Sequence, residues 1–234
     1  MTAASPSLAD VLRPVKHVLL DFDGPLCSVF AGLPAPDVAD RLRAALLATG
    51  GQGPAGSETE TDPLALLRLV ADARPDLVTV ADDALAELET EAVRVGRPNP
   101  GGESVLRACA SSGRSVSVVS NNAGVAIEEY LSTHGLIDYV AGVFGRTPGD
   151  PGSMKPNPQL LLDAMQTTAS SPGECIFIGD AVRDVEAGDA AGVATIGYAN
   201  KPGKDARLAA AGAVVVVDSM QLIADVLGTG LGTL

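Results

Sequence analysis

Asp21 and Asp23, one residue apart in Asp21-Phe22-Asp23-Gly24, can divide the work of a group transfer. If the loop turns both carboxylates into one cleft, one attacks and its neighbour shuttles a proton. Alone, the tetrapeptide fits an Asx-rich turn or a Ca²⁺ loop equally well. Other residues bear on the choice. Ser120, Asn121 and Asn122 offer short hydrogen-bonding groups that could hold a phosphoryl oxygen, although such a tripeptide read singly is more often a turn or a helix cap. Lys155, in Met154-Lys155-Pro156-Asn157-Pro158, stands just before a helix pattern in a chain whose other lysines are Lys16, Lys201 and Lys204. Gly179-Asp180 is followed four residues later by Asp184. Carboxylates from Asp21, Asp23, Asp180 and Asp184 gathered in one place would repel one another unless a hard divalent cation sat among them, and Mg²⁺ suits oxygen ligands. Each aspartate taken separately could be a solvated helix-start residue. That reading does not explain why they follow apolar runs in this order.

Those runs are the elements that must position the groups. Val18 to Leu20 leads into Asp21, Val116 to Val119 into Ser120, and Cys175 to Ile178 into Gly179 and Asp180. Val193 to Ile196 and Val214 to Val217 have the same form. Short continuous apolar runs of this kind predict strands buried on both faces. Helix patterns lie between them: Glu103 to Ser112 stops at Gly113, the stretch after Asn122 stops at Gly135, and Asn157-Pro158 reads as a cap and first-turn proline. The alternation predicts an α/β fold, a Rossmann-like doubly wound parallel sheet with helices on both faces. Ligands in such sheets collect at the carboxyl ends of the strands, where the aspartates fall.

Residues 28–100 differ, carrying helix patterns and no strand. Val38, Leu42 and Leu46 share one helical face, Asp62-Pro63 opens a second helix, and Thr79 is positioned to cap a third that runs to Gly96. The expectation is a helical cap of residues 28–100 inserted into a core of residues 1–27 and 101–234. Hinges are expected near Ser28 to Pro36 and Arg97 to Gly102, where proline and glycine cluster. Gly50 to Gly56 lacks the Lys-Ser/Thr ending of a P-loop and reads as a surface loop.

A formal charge of −13 repels nucleic-acid phosphates and anionic membrane surfaces, so neither is an expected partner. An anionic substrate would have to be drawn by a local cluster of cation and metal. Cys27, Cys109 and Cys175 are far apart, with no metal-ligand spacing, and read as buried reduced thiols. Residues 1–14 lack the apolar segment of a signal peptide, and no run approaches the length that spans a bilayer. A cytoplasmic monomer or homodimer is expected.

With its four motifs in order, namely Asp21-Phe22-Asp23-Gly24, Ser120-Asn121, Lys155-Pro156, and Gly179-Asp180 with Asp184, the sequence resembles the haloacid dehalogenase-like superfamily. The likeness is nearer to its phosphoglycolate phosphatase-like members with a helical, C1-type cap, and it covers about residues 16–227. The resemblance implies a Mg²⁺-dependent phosphatase acting on a small phosphorylated metabolite through an aspartyl-phosphate. Asp21 would be the nucleophile, and Asp23 the acid for the leaving alcohol and then the base for water. Ser120, Asn121 and Lys155 would bind the phosphoryl group. Asp21, the main-chain carbonyl of Asp23, and Asp180 would hold Mg²⁺, with Asp184 close in support. Departures from the pattern are Pro25 for a threonine, Ser28 for an aspartate, and Ala181 for a serine; Pro25 also removes a backbone donor. A sugar-phosphate mutase of the same fold is the nearest enzymatic alternative, and a catalytically silent binding or regulatory protein is the alternative from another class. A phosphonate-cleaving route would use a cap lysine, and residues 28–100 contain none.

Overall fold

The computed structural model describes residues 6–50 and 53–228. Part of the N-terminal stretch, and Gly51 and Gln52 of the Gly50 to Gly56 loop, lie outside the described residues. The chain runs α1 (Leu8–Leu12), β1 (His17–Leu20), β2 (Cys27–Ser28), α2 (Ala35–Ala48), α3 (Pro63–Ala73), α4 (Val78–Arg94), β3 (Arg97–Pro98), α5 (Pro100–Ser111) and β4 (Ser115–Ala123). It continues through α6 (Gly124–Thr133), β5 (Gly142–Arg146), α7 (Gln159–Thr167), β6 (Cys175–Gly179), α8 (Val182–Ala191), β7 (Thr195–Tyr198), α9 (Lys204–Ala211), β8 (Val215–Val217) and α10 (Met220–Gly228).

Six strands form one parallel sheet in the order β5-β4-β1-β6-β7-β8. β1 lies in its interior and is buried along its whole length. Its alternating side chains feed two helical layers. Val18 and Leu20 join the core under α5, α6 and α10, while Leu19 joins the core under α7 and α8. The Rossmann-like expectation therefore holds, with the strand order reversing direction at β1.

Leu20 is level with Val118 on one neighbour and with Ile178 on the other. The next residue up is Asp21 on β1, beside Val119 and Gly179. Register alone thus brings Asp21, Ser120 and Asp180 to one edge of the sheet.

Helices α2, α3 and α4 fall between β2 and β3 and share their own apolar cluster, in which Val38, Leu42, Leu66, Leu67 and Leu85 are fully buried. Full burial of each such leucine is worth about 1.5–3 kcal/mol. Asp62 caps α3, its Oδ1 accepting the Leu64 amide at 2.9 Å. The two segments entering and leaving this interval pair as an antiparallel ladder, Cys27 with Pro98 and Ser28 with Arg97.

Several local expectations shift. Thr79 does not cap α4, because Pro75 nucleates a 3₁₀ turn that runs directly into the helix. Asn157 stands one residue further out than expected, with Pro158 at the cap, yet its Oδ1 still accepts the Gln159 amide at 2.9 Å. Ser120 to Asn122 belong to β4 rather than following it. The fourth run begins two residues later, at Thr195. All three cysteines are buried free thiols. Among the described residues no helix is long and apolar enough to cross a membrane.

Candidate active site

All eight residues singled out in the sequence, Asp21, Asp23, Ser120, Asn121, Asn122, Lys155, Asp180 and Asp184, line one cavity of about 240 Å³ at the carboxyl edge of the sheet. Their backbones are set by short, well-bonded turns. After Asp21, the Leu26 and Cys27 amides return to the Phe22 carbonyl at 3.1 and 3.0 Å, and the Gly24 amide reaches the Cys27 carbonyl at 2.7 Å. Pro25 sits between donors that are already satisfied, so its missing N–H leaves no bond of this turn unmade. Gly24 has φ +109°, and a Cβ built there would stand 2.5 Å from Asp180 Oδ2. The turn therefore needs glycine for conformation and for space.

Lys155 is buried at the centre. Its Nζ donates to Asp21 Oδ1 at 2.8 Å and to the Val119 carbonyl at 3.1 Å, and lies 2.8 Å from Asp184 Oδ1. Burial works against its charge, but Asp184 and Asp21 more than offset that and raise its pKa above the ordinary lysine value. Asn121 clamps the same residue through the main chain, accepting the Lys155 N–H on Oδ1 at 2.8 Å and donating Nδ2 to its carbonyl at 3.1 Å. The Asn121 side chain is thus committed to placing the lysine. Asp184 holds backbone in the same way, its Oδ2 accepting the amides of Asp180 and Ala181 at 3.0 and 2.9 Å. That bond caps α8 where Ala181 offers no side-chain acceptor.

The two leading carboxylates sit in different surroundings. Burial pushes the Asp21 pKa up to about 7, against the pull of Lys155, and the charges of Asp184 and Asp180 add to the rise. Burial also pushes Asp23 up to about 6, opposed by the Val29 amide, which donates to its Oδ1 at 3.0 Å. Carboxylate oxygens of Asp21, Asp180 and Asp184 all come within 4.8 Å of one another. So dense an all-oxygen cluster, whose mutual repulsion already bears on Asp21, fits a hard divalent cation.

Other participants lie outside the sequence motifs. Lys204 Nζ and Asn200 Nδ2 donate to Asp180 Oδ2 at 2.5 and 2.8 Å. Lys204 carries a usable signal, being one of few lysines and lying shortly after a predicted strand. Behind Ser120, Glu89 of α4 accepts Asn122 Nδ2 at 2.9 Å and the Ala123 amide at 2.8 Å. Asn122 in turn accepts the Ser120 hydroxyl at 3.2 Å. Arg146 donates to Asp82 at 2.5 Å and to the Asn121 carbonyl at 2.8 Å, closing a buried cluster that ties α4 to the sheet. The arginines between β2 and β3 divide: Arg41, Arg43, Arg74 and Arg94 pair with Glu91, Asp40, Asp76 and Glu129, and Arg68 donates to the Lys155 carbonyl. Arg97 faces a larger neighbouring cleft.

Residues 72–198 match the family described as haloacid dehalogenase-like hydrolase. A phosphoglycolate phosphatase of Xylella fastidiosa (strain Temecula1) is 29% identical over 187 residues, 76% of this chain and 77% of that one. A plasmid-borne phosphoglycolate phosphatase of Cupriavidus necator is 28% identical over 230 residues, covering 92% and 94%. Among solved structures, one described as a predicted phosphatase from Clostridium acetobutylicum superposes with a TM-score of 0.70 over 90% of this chain and 97% of its own, at 19% identity, a likeness of fold.

Proposed function

The chain belongs to the haloacid dehalogenase-like hydrolases, and from that premise we propose that it is a Mg²⁺-dependent phosphatase that hydrolyses a small-molecule phosphate monoester through an aspartyl-phosphate on Asp21. The observation that carries the reading is the pairing of a buried Asp21, bonded to Lys155, with an Asp23 whose pKa is pushed up to about 6 in the same cavity. Relatives that bear the name phosphoglycolate phosphatase support the same reaction class.

Both hydrogen bonds to the Asp21 carboxylate fall on Oδ1, from Lys155 Nζ and the Phe22 amide. Oδ2 is therefore the oxygen that attacks phosphorus. As the ester P–O bond breaks, protonated Asp23 gives its proton to the leaving alcohol. The resulting carboxylate then takes a proton from the water that cleaves the acyl phosphate, which regenerates both groups. Lys155 holds the phosphoryl oxygens together with the Ser120 hydroxyl, whose one proton turns to them from Asn122 Oδ1, while Asn121 acts by fixing Lys155. Asp21, the Asp23 carbonyl and Asp180 would hold Mg²⁺, and Asp184 orients Lys155 and the start of α8. When bound, the cation offsets charge on the equatorial phosphoryl oxygens, which is where phosphoryl transfer is won. Residues 28–100 serve as a cap that excludes bulk water over the cleft.

Mg²⁺-dependent phosphate release from 4-nitrophenyl phosphate tests the reading. Wild type should turn over and Asp21→Asn should fall to background; undiminished release by the variant, or by wild type in EDTA, overturns it.

A further inference from the structure

Beside the catalytic cavity lies a cleft of about 880 Å³, between the segment after β2, Arg97 of β3, and the N-terminal ends of α8 and α9. The two share Asp23, Phe30, Ala35, Asp180, Ala181 and Arg183 among their lining residues, so a molecule reacting at Asp21 extends directly from one to the other. Arg97, Arg183, Lys201, Lys204 and Arg207 line the cleft, five of the sixteen lysines and arginines in a chain of net charge −13. Its acids are Glu186 and the two aspartates it shares with the catalytic cavity.

These cations are poorly matched with protein carboxylates. Arg97 and Lys201 make no ion pair among the described residues, Arg183 comes no nearer than 3.9 Å to Asp62, and Arg207 Nε is given to the Gly203 carbonyl. Lys204 alone is closely paired, with Asp180. Elsewhere Arg13, Lys16, Arg41, Arg74 and Arg94 each meet a carboxylate within 2.9 Å, while Arg107 and Arg114 donate instead to Tyr139 Oη and to the Val15 and Leu227 carbonyls. With acids nearly twice as numerous as bases, cations left unmatched in one concave surface are held for an anion from outside. Arg68, close by, has its pKa lowered by burial and then by the charge of Arg183, a repulsion an anion would relieve.

We propose that the leaving alcohol carries a second phosphate group, which this cleft binds, so that the preferred substrate is an organic bisphosphate. This rests on the phosphatase reading and names its substrate class. Three guanidinium groups and the Lys201 ammonium match a dianion with several acceptor oxygens better than a single carboxylate. The cleft is the larger of the two spaces, about 880 against 240 Å³, room for an alcohol bigger than a two-carbon acid.

Two measurements test it. The kcat/KM of wild type for glucose 1,6-bisphosphate should exceed that for glucose 6-phosphate and for phosphoglycolate by tenfold or more, mainly through KM. The bisphosphate-to-monophosphate ratio should drop about tenfold in Arg97→Ala/Arg207→Ala. Equal values for the two sugar phosphates, or phosphoglycolate as the best substrate, overturn the proposal while leaving the phosphatase reading intact. Calorimetric binding to Asp21→Asn protein separates the two further, because it needs no turnover. Glucose 1,6-bisphosphate should bind at least tenfold tighter than glucose 6-phosphate, and the double arginine variant should erase the difference; no difference in the parent overturns the proposal even if aryl phosphate is hydrolysed.

Discussion

Arg146 and Glu89 meet out of reach of solvent, the guanidinium Nη1 lying 3.2 Å from both carboxylate oxygens, with side chains 1% and 0% exposed. One belongs to the outer sheet strand β5 and the other to helix α4, which lies between β2 and β3. Asp82 still faces Arg146 when Glu89 is removed, so that change leaves no charge uncompensated; what it strips are the acceptors of the buried Asn122 Nδ2 and Ala123 N–H, at a cost of about 1–3 kcal/mol. Glu89→Ala should therefore lower the unfolding free energy by about that amount, with Glu89→Gln losing less because an amide oxygen can still accept from Asn122 and Ala123. Urea denaturation measures both; a loss below about 1 kcal/mol for the alanine variant would mean that the cluster is solvated.

That cluster also marks where local sequence pattern stops being readable. Asp21, Ser120 and Asp180 are legible because each follows an apolar run, and parallel pairing in register carries local order into spatial order. Asp82 and Glu89 are not, since an acid on a helix is ordinarily a solvated residue. The available clue is that Asp82, Leu85, Glu89 and Ala92 recur on one helical face, which puts charge on the buried side of α4. β5 escapes the strand pattern because two glycines and an arginine interrupt Gly142–Arg146, leaving no continuous apolar run. The Lys204 to Asp180 contact depends on the β7–α9 connection folding back over the strand ends, a tertiary event that local pattern does not encode.

Gly24 and Gly113 both have positive φ, +109° and +72°, but their surroundings differ. A Cβ on Gly24 meets Asp180 Oδ2 at 2.5 Å, whereas one on Gly113 meets nothing within 4 Å. Alanine at either site carries backbone strain of about 1–3 kcal/mol. Only Gly24→Ala should also displace Asp180 and cut kcat/KM by more than tenfold. Parallel thermal unfolding and phosphate-release assays on the two variants check this, and equal activity in both would show that the close approach to Asp180 has no catalytic consequence.

Divalent cation binding should be visible without turnover. An ion that binds only the folded state adds about 2.7 kcal/mol when its concentration is a hundredfold above Kd. Mg²⁺ should therefore raise the thermal midpoint of wild type reversibly, with EDTA restoring the starting value. Asp180→Asn should respond much less, since it takes one carboxylate from the cluster of Asp21, Asp180 and Asp184. An identical shift in the variant would remove Asp180 from the ligand set.

His17 is buried on β1, with Nε2 3.0 Å from Ser117 Oγ, and burial holds its pKa below the ordinary 6.5. In the unfolded chain the imidazole takes up a proton near pH 6.5, while the folded protein resists protonation until a lower pH. Within that window the unfolded state binds more protons, so stability falls as the pH falls. The contribution is complete above pH 6.5 and is lost as the pH drops from there toward the folded-state pKa. Asp21 and Asp23, with raised values, oppose this trend, but they do so equally in wild type and in a His17 variant. The informative quantity is therefore the difference between the two proteins. His17→Gln, which keeps a hydrogen-bonding group toward Ser117 and cannot titrate, should lose less stability than wild type on going from about pH 7.5 to about pH 5.5. Urea melts of both proteins at the two pH values measure this directly, and parallel losses would mean that His17 is protonated as readily in the folded protein as in the unfolded chain.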